Sequence, residues 1–173
     1  MGTRVIVGVS GSLSSLAALH HAMDEARRTD ALLVAVLAWT PPGGEAAYRR
    51  SPYPPLLKQE EKAATQQLDT AFEQAFGGYP DDVRIRSLTV RGEPGPVLVD
   101  VADRPDDVLV VSTGRRGNRL QRLLHGSVTR YCMAHARCVV TAVPPSELLA
   151  EFEHGLRLGD PIALLEKAQT SLG

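Results

Sequence analysis

Five short apolar runs, each separated from the next by intervening chain, constrain this 173-residue sequence more than any other feature. They are Val5-Ile6-Val7-Gly8-Val9, Leu32 to Trp39, Val83 to Arg91, Val108 to Val111 and Val139 to Val143. Continuous β-branched runs of this length suit strands covered on both faces, as in parallel sheets. The third run alternates instead: Val83, Ile85, Ser87 and Thr89 against Arg84, Arg86, Leu88 and Val90, which suits a strand near a sheet edge with one wetter side.

Between the runs lie helical patterns. After Ser10-Gly11-Ser12, the residues Leu16, Leu19, Met23 and Ala26 recur at helical spacing, and Arg27 and Arg28 suit the negative pole of that helix. Thr40-Pro41-Pro42-Gly43-Gly44 cannot be regular, and Pro52, Pro54 and Pro55 keep the stretch from Glu45 to Pro55 irregular. A long helix follows from about Leu56 to Phe76, with Ala64, Leu68, Ala71, Phe72 and Ala75 as its stripe and Gly77-Gly78 as its stop. Gly92 to Pro96 reads as a turn with Pro96 in a helix first turn, followed by helices over Val97 to Ala102 and Ser127 to Ala136. Strands alternating with helices define an α/β fold, a single doubly wound five-stranded parallel sheet with helices on both faces.

That pattern fills residues 1–145 as one domain and stops at Pro144-Pro145. Residues 146–173 read as a C-terminal helical extension. Leu148, Leu149 and Phe152 cluster there, and Asp160-Pro161 caps a second short helix through Ile162 and Leu165.

Composition excludes several classes. Apolar residues at 43% and charged residues at 23% argue against global disorder, and a net charge of −1 argues against nucleic-acid binding through overall positive charge. The apolar start is too short for a signal-peptide core, and no run approaches a membrane span. Gly2 does not open a myristoylation motif, because Ile6 stands where Ser or Thr is required. Two cysteines, Cys132 and Cys138, make no disulfide framework, so the expected location is the cytoplasm.

In parallel sheets, ligands bind outside the carboxyl ends of strands. After the fourth strand come Ser112, Thr113, Gly114, Arg115, Arg116 and Gly117, then Gly126-Ser127-Val128-Thr129 opening a helix. Glycines allow close backbone approach, and free N–H groups at a helix start hold anions. From Val108 to Ser146 there are six arginines and no Asp or Glu. Each feature alone has an ordinary structural reading as a turn, a cap or a solvated face. Their coincidence after a strand points to phosphate binding.

At these residues the chain resembles the universal stress protein family. The similarity runs from the first strand to Val143 and includes Val5 to Val9 followed by Gly11-Ser12, the spaced glycines Gly114, Gly117 and Gly126-Ser127, and the segment ending Ala142-Val143-Pro144. The resemblance implies strand order 3-2-1-4-5 and binding of ATP, ADP or AMP, with magnesium as a possible companion ion. It places Gly8, Val9 and Ser10 beside the nucleoside and the backbone near Ala38 at the adenine edge. Thr113, Gly114, Arg115, Gly117, Gly126, Ser127, Val128 and Thr129 would surround the phosphates. Two features depart from the family pattern. The gap between Gly117 and Gly126 is one residue short, and Ser10 stands where ATP-binding members usually carry Asp. Losing charge assistance on one hydrogen bond costs about 1–2 kcal/mol, roughly five- to thirtyfold in affinity.

Other constellations are weaker. Ser10 to Ser15 is similar to the loop of ATP pyrophosphatases, but Ser14 replaces its Asp and Ser12 its second Gly. Cys132, His135 and Cys138 lack a standard zinc spacing, and Cys132 and Cys138 read as core-facing residues of a helix and a strand. His20 and His21 lie on the first helix without an identifiable partner, and Asp106 and Asp107 read as turn residues. No nucleophile–base pair stands out, so a binding module outranks an enzyme. The final strand, Val139 to Val143, is uncharged and would lie at an edge, which predicts a homodimer through it. A nucleotide-free dimeric interaction protein of the same family is the competing reading.

Overall fold

Alternate residues of β1 (Arg4–Gly8) enter opposite layers, and this fixes the architecture. Val5 and Val7 pack with α1 (Leu13–Thr29) and α3 (Pro54–Phe76), whereas Ile6 packs with α4 (Pro94–Val101) and Cys132 of the helix at residues 128–135. The computed structural model describes residues 2–113 and 128–144. Within them β2 (Leu32–Trp39), β3 (Ile85–Arg91), β4 (Val108–Ser112) and β5 (Val139–Val143) join β1 in one all-parallel sheet, ordered β3-β2-β1-β4-β5. Residues 128–135 are helical and form α5. The doubly wound α/β sheet expected from the five runs is thus present, with β3 and β5 at its edges.

The segment expected to be irregular after β2 contains α2 (Gly44–Arg50). Gly43 takes a left-handed N-cap conformation, the Gly44 N–H closes a turn onto the Pro41 carbonyl, and Glu45 and Arg49-Arg50 sit at the ends that suit their charge. The prolines then act as helix starters rather than breakers. Pro54 and Pro55 occupy the first turn of α3, where a missing N–H removes no bond, so α3 begins two residues before Leu56. Likewise α4 starts at Pro94, within the segment read as a turn.

Asp107 is a second correction. It is not an exposed turn residue but is 1% exposed, accepting from Arg4 Nε at 2.9 Å and Arg4 Nη2 at 2.6 Å and from the Arg104 backbone N–H at 3.0 Å. The pair ties the start of β1 to the start of β4, and Asp103 braces Arg4 from outside. Residues 146–173, and with them the expected extension, lie outside the described residues.

Candidate functional site

A cavity of about 360 Å³ opens at the carboxyl ends of β1, β2 and β4, the volume class of small-ligand sites. Here the chain leaves β1 toward the α1 face and passes from β4 to α5 on the opposite face, so the crevice lies at the topological switch point. Its two ends differ in chemistry. Val36, Ala38, Pro94, Pro96 and Leu98 form an apolar slot between β2 and α4, and Ser10, Ser12, Ser14 and Ser112 supply hydroxyls near the mouth of α1 and the end of β4.

The serines are linked. Ser10 Oγ and Ser12 Oγ are 2.9 Å apart, and Ser12 Oγ and Ser14 Oγ 3.0 Å. Ser12 is also the N-cap of α1, accepting from the Ser15 N–H at 3.2 Å. Gln67 Nε2 of α3 donates to the Ser10 carbonyl at 2.9 Å and fixes the loop, in which Gly11 takes a positive φ of 70°.

The register of β2 supplies the site's hydrogen-bonding edge. Backbone groups of successive strand residues point to opposite neighbours. The Leu32 N–H donates to the Thr3 carbonyl and the Val9 N–H to the Val36 carbonyl, so even-numbered residues of β2 face β1. Pairing with β1 ends at Gly8 opposite Val36. Ala38 therefore presents its N–H and C=O toward the space that β1 has vacated. Among the described residues neither group has a backbone partner there.

Of the residues singled out in the sequence, Gly8, Val9, Ser10, Ala38 and Val128 line this cavity. Thr113 and Thr129 do not. The Thr113 N–H and hydroxyl both donate to the Val143 carbonyl, at 2.8 and 3.3 Å, and the Thr129 hydroxyl donates to the Ser112 carbonyl at 3.2 Å. Gly114, Arg115, Arg116, Gly117, Gly126 and Ser127 lie outside the described residues. Ser12 and Ser14, read in the sequence only as part of the loop similar to that of ATP pyrophosphatases, also line it, and sequence reasoning missed Leu98, Tyr131 and the Glu93-Pro94-Gly95-Pro96 step. That step followed a strand in a parallel sheet, which was the available signal. Gly95 packs closely there, since a Cβ on it would lie 3.0 Å from the Tyr131 ring.

Burial favours the neutral thiol at both cysteines, pushing Cys132 up to about 11 and raising Cys138 as well. His135 stacks on Tyr131 and its Nδ1 meets the Tyr131 carbonyl at 2.9 Å. Among the described residues no group of three His, Cys, Asp or Glu could hold a metal ion, and no helix is long and apolar enough to cross a membrane.

The model of the universal stress protein family matches residues 1–144. A universal stress protein of Mycolicibacterium smegmatis is 30% identical over 141 residues, covering 82% of this chain and 45% of that protein. Universal stress protein Rv1996 of Mycobacterium tuberculosis is 30% identical over 145 residues, covering 81% and 44%. The chain thus spans less than half the length of these curated relatives. Among solved structures, a universal stress protein in complex with cAMP is 28% identical, with 84% of this chain and 98% of that one covered and a TM-score of 0.53. UspA from Lactobacillus plantarum, 24% identical over 82% of this chain and 97% of that one, shares the fold with a TM-score of 0.62.

Proposed function

Since the chain belongs to the universal stress protein family, we propose that it binds ATP or a related adenine nucleotide in the cavity between Ser10 and Ala38. The observation that carries this reading is the Ala38 edge. One N–H and one C=O, free on the cavity side and flanked by an apolar slot, match the acceptor N1 and donor N6 of adenine. The structural relative in complex with cAMP supports an adenine nucleotide in this fold at 28% identity. The base would lie between Val36, Leu98 and Pro94, and the ribose near Gly8, Val9 and the serines. The phosphates would extend toward Val128 and Thr129 and the segment holding Gly114, Arg115, Gly117, Gly126 and Ser127. The described residues offer no carboxylate cluster for magnesium, so a metal ion would travel on the phosphates and water.

The role is that of a cytoplasmic stress-response or signalling module and not of a catalyst. The one carboxylate among the described lining residues, Glu93, belongs to the α4 wall and not to the segment toward which the phosphates would extend, so on this reading ATP hydrolysis is slow or absent. The same reading has residues 1–145 as the nucleotide-binding domain, 146–173 as its extension, and a homodimer through Val139 to Val143. Calorimetric titration with ATP, ADP and AMP at millimolar ligand tests the binding. Saturable heat is expected, lost in Gly126→Asp, which sets a negative charge beside the phosphates. Absence of saturable binding in the unmutated chain overturns the nucleotide reading and favours an interaction protein.

A further inference from the structure

Among the described residues one charged side chain, Glu93, lines the cavity, beside the apolar Pro94, Pro96 and Leu98. Glu93 follows Gly92, whose N–H donates to the Trp39 carbonyl at 2.8 Å. Ala38 pairs with Val90, and Trp39 with Arg91. The chain therefore carries Glu93 just past the carboxyl end of β2, the strand that presents the Ala38 edge. Glu93 is the N-cap of α4, yet its side chain makes no capping hydrogen bond, and among the described residues it has no ion-pair partner. The neighbouring arginine is engaged elsewhere, since Arg91 forks onto Glu45 at 2.7 Å through both Nε and Nη2. Pro94 and Pro96 have no N–H to offer a ligand, so this end of the cavity presents acceptors to a base and few donors.

We propose that Glu93 is a specificity-determining residue that selects 6-aminopurines over 6-oxopurines. The inference rests on the cavity being a purine-nucleotide site. With the Ala38 edge engaging N1 and one amino hydrogen, the second amino hydrogen is directed toward the start of α4, where the carboxylate accepts it. A 6-oxopurine reverses both demands. It brings a proton on N1 against the Ala38 N–H and lone pairs on O6 against the Ala38 carbonyl and the Glu93 carboxylate. Rejection by unpaired acceptors facing one another is stronger than the gain from any single matched bond. Because Glu93 is exposed at the rim, its share is moderate and separable from that of the backbone.

The test compares AMP with IMP, which differ at position 6 and in the proton that the 6-oxo base carries on N1, by calorimetry on the full chain and on Glu93→Gln and Glu93→Ala. The unmutated chain is expected to prefer AMP by more than tenfold. Glu93→Gln, whose amide turns to offer either an oxygen or an NH₂, should bring the preference down at least threefold, with IMP binding strengthened. Glu93→Ala should lower the preference by weakening AMP and relieving IMP. An AMP-to-IMP ratio unchanged in both variants overturns the role of Glu93 while leaving nucleotide binding intact. Failure of the unmutated chain to bind either nucleotide overturns both readings together.

Discussion

Gly8 lies against Leu98 so closely that a Cβ on Gly8 would stand 2.9 Å from Leu98 Cδ1. Leu98 is 3% exposed and forms the floor of the cavity, and the glycine at the end of β1 is what lets that floor sit low. In Gly8→Ala the methyl must displace a side-chain tip, and the empty space open to it is the cavity itself. Ligand affinity should fall about tenfold or more, while overpacking costs stability about 1–3 kcal/mol at most. Calorimetry with AMP, alongside a denaturant melt, checks both. Leu98→Ala in the same chain should recover part of the binding by removing the displaced atoms, a non-additive pair measured by a double-mutant cycle. Equal losses of binding and of folding would show that Leu98 had not moved into the site.

Ser10 sits on the cavity with its hydroxyl 2.9 Å from that of Ser12. A carboxylate at this position would accept from ribose hydroxyls with charge assistance that a serine lacks. Ser10→Asp is therefore expected to tighten AMP about five- to thirtyfold, the difference argued from one charge-assisted bond. The same calorimetric titration reads it. Unchanged or weaker binding would mean that the ribose does not meet Ser10.

The sequence conveyed the sheet well, because buried parallel strands advertise themselves as uninterrupted apolar runs. Val5 to Gly8 and Leu32 to Trp39 are of this kind, and Val139 to Val143 is as apolar although it lies at an edge with Val139 exposed. The strand order is not in the periodicity and comes from the family resemblance; the sheet has the same order. What stayed hidden was set by register and by three-dimensional context. Nothing local marks Ala38 as having free backbone groups, since that depends on where β1 stops relative to β2. Asp107 reads as a turn residue until β1 places Arg4 beside it. Pro54 and Pro55 carry opposite meanings at the first turn and in the middle of a helix, and only the position of Tyr53 as N-cap decides between them. Of the candidate site, the β1 end was legible. The α4 wall was not, because Gly92 to Pro96 has turn composition whether or not it borders a ligand.

Asp107→Asn should separate stability from function. The Arg4–Asp107 pair closes the amino ends of β1 and β4, at the opposite end of the sheet from the cavity. Breaking a buried pair commonly costs about 3–5 kcal/mol, and Arg4 keeps Asp103 as a partner and is partly exposed, so a loss of about 2–3 kcal/mol is expected. Denaturant unfolding followed by circular dichroism measures it. AMP affinity at a temperature where the variant is folded should be within about twofold of the unmutated chain, well under 1 kcal/mol. A large loss of affinity would mean that the pair holds the crevice open from below.

The proposed dimer is tested most sharply at Val140. In β5 the Val143 carbonyl accepts from the Thr113 N–H, so odd-numbered residues of the strand face β4 and Val140 and Ala142 face away from the sheet. The outward N–H of Val140 is then a donor that only a neighbour beyond the edge can use, and Val139 beside it is 62% exposed. Two copies pairing antiparallel about a twofold axis would satisfy both edges. Val140→Pro removes this donor without touching the β4–β5 ladder, a position where an edge strand tolerates proline. The monomer should stay folded and the association should weaken. Sedimentation equilibrium is expected to give about twice the 18.6 kDa chain mass before the change and a shift toward the single chain after it. A concentration-independent monomer in the unmutated chain would remove the dimer. A dimer of unaltered strength in Val140→Pro would instead place the interface away from this edge.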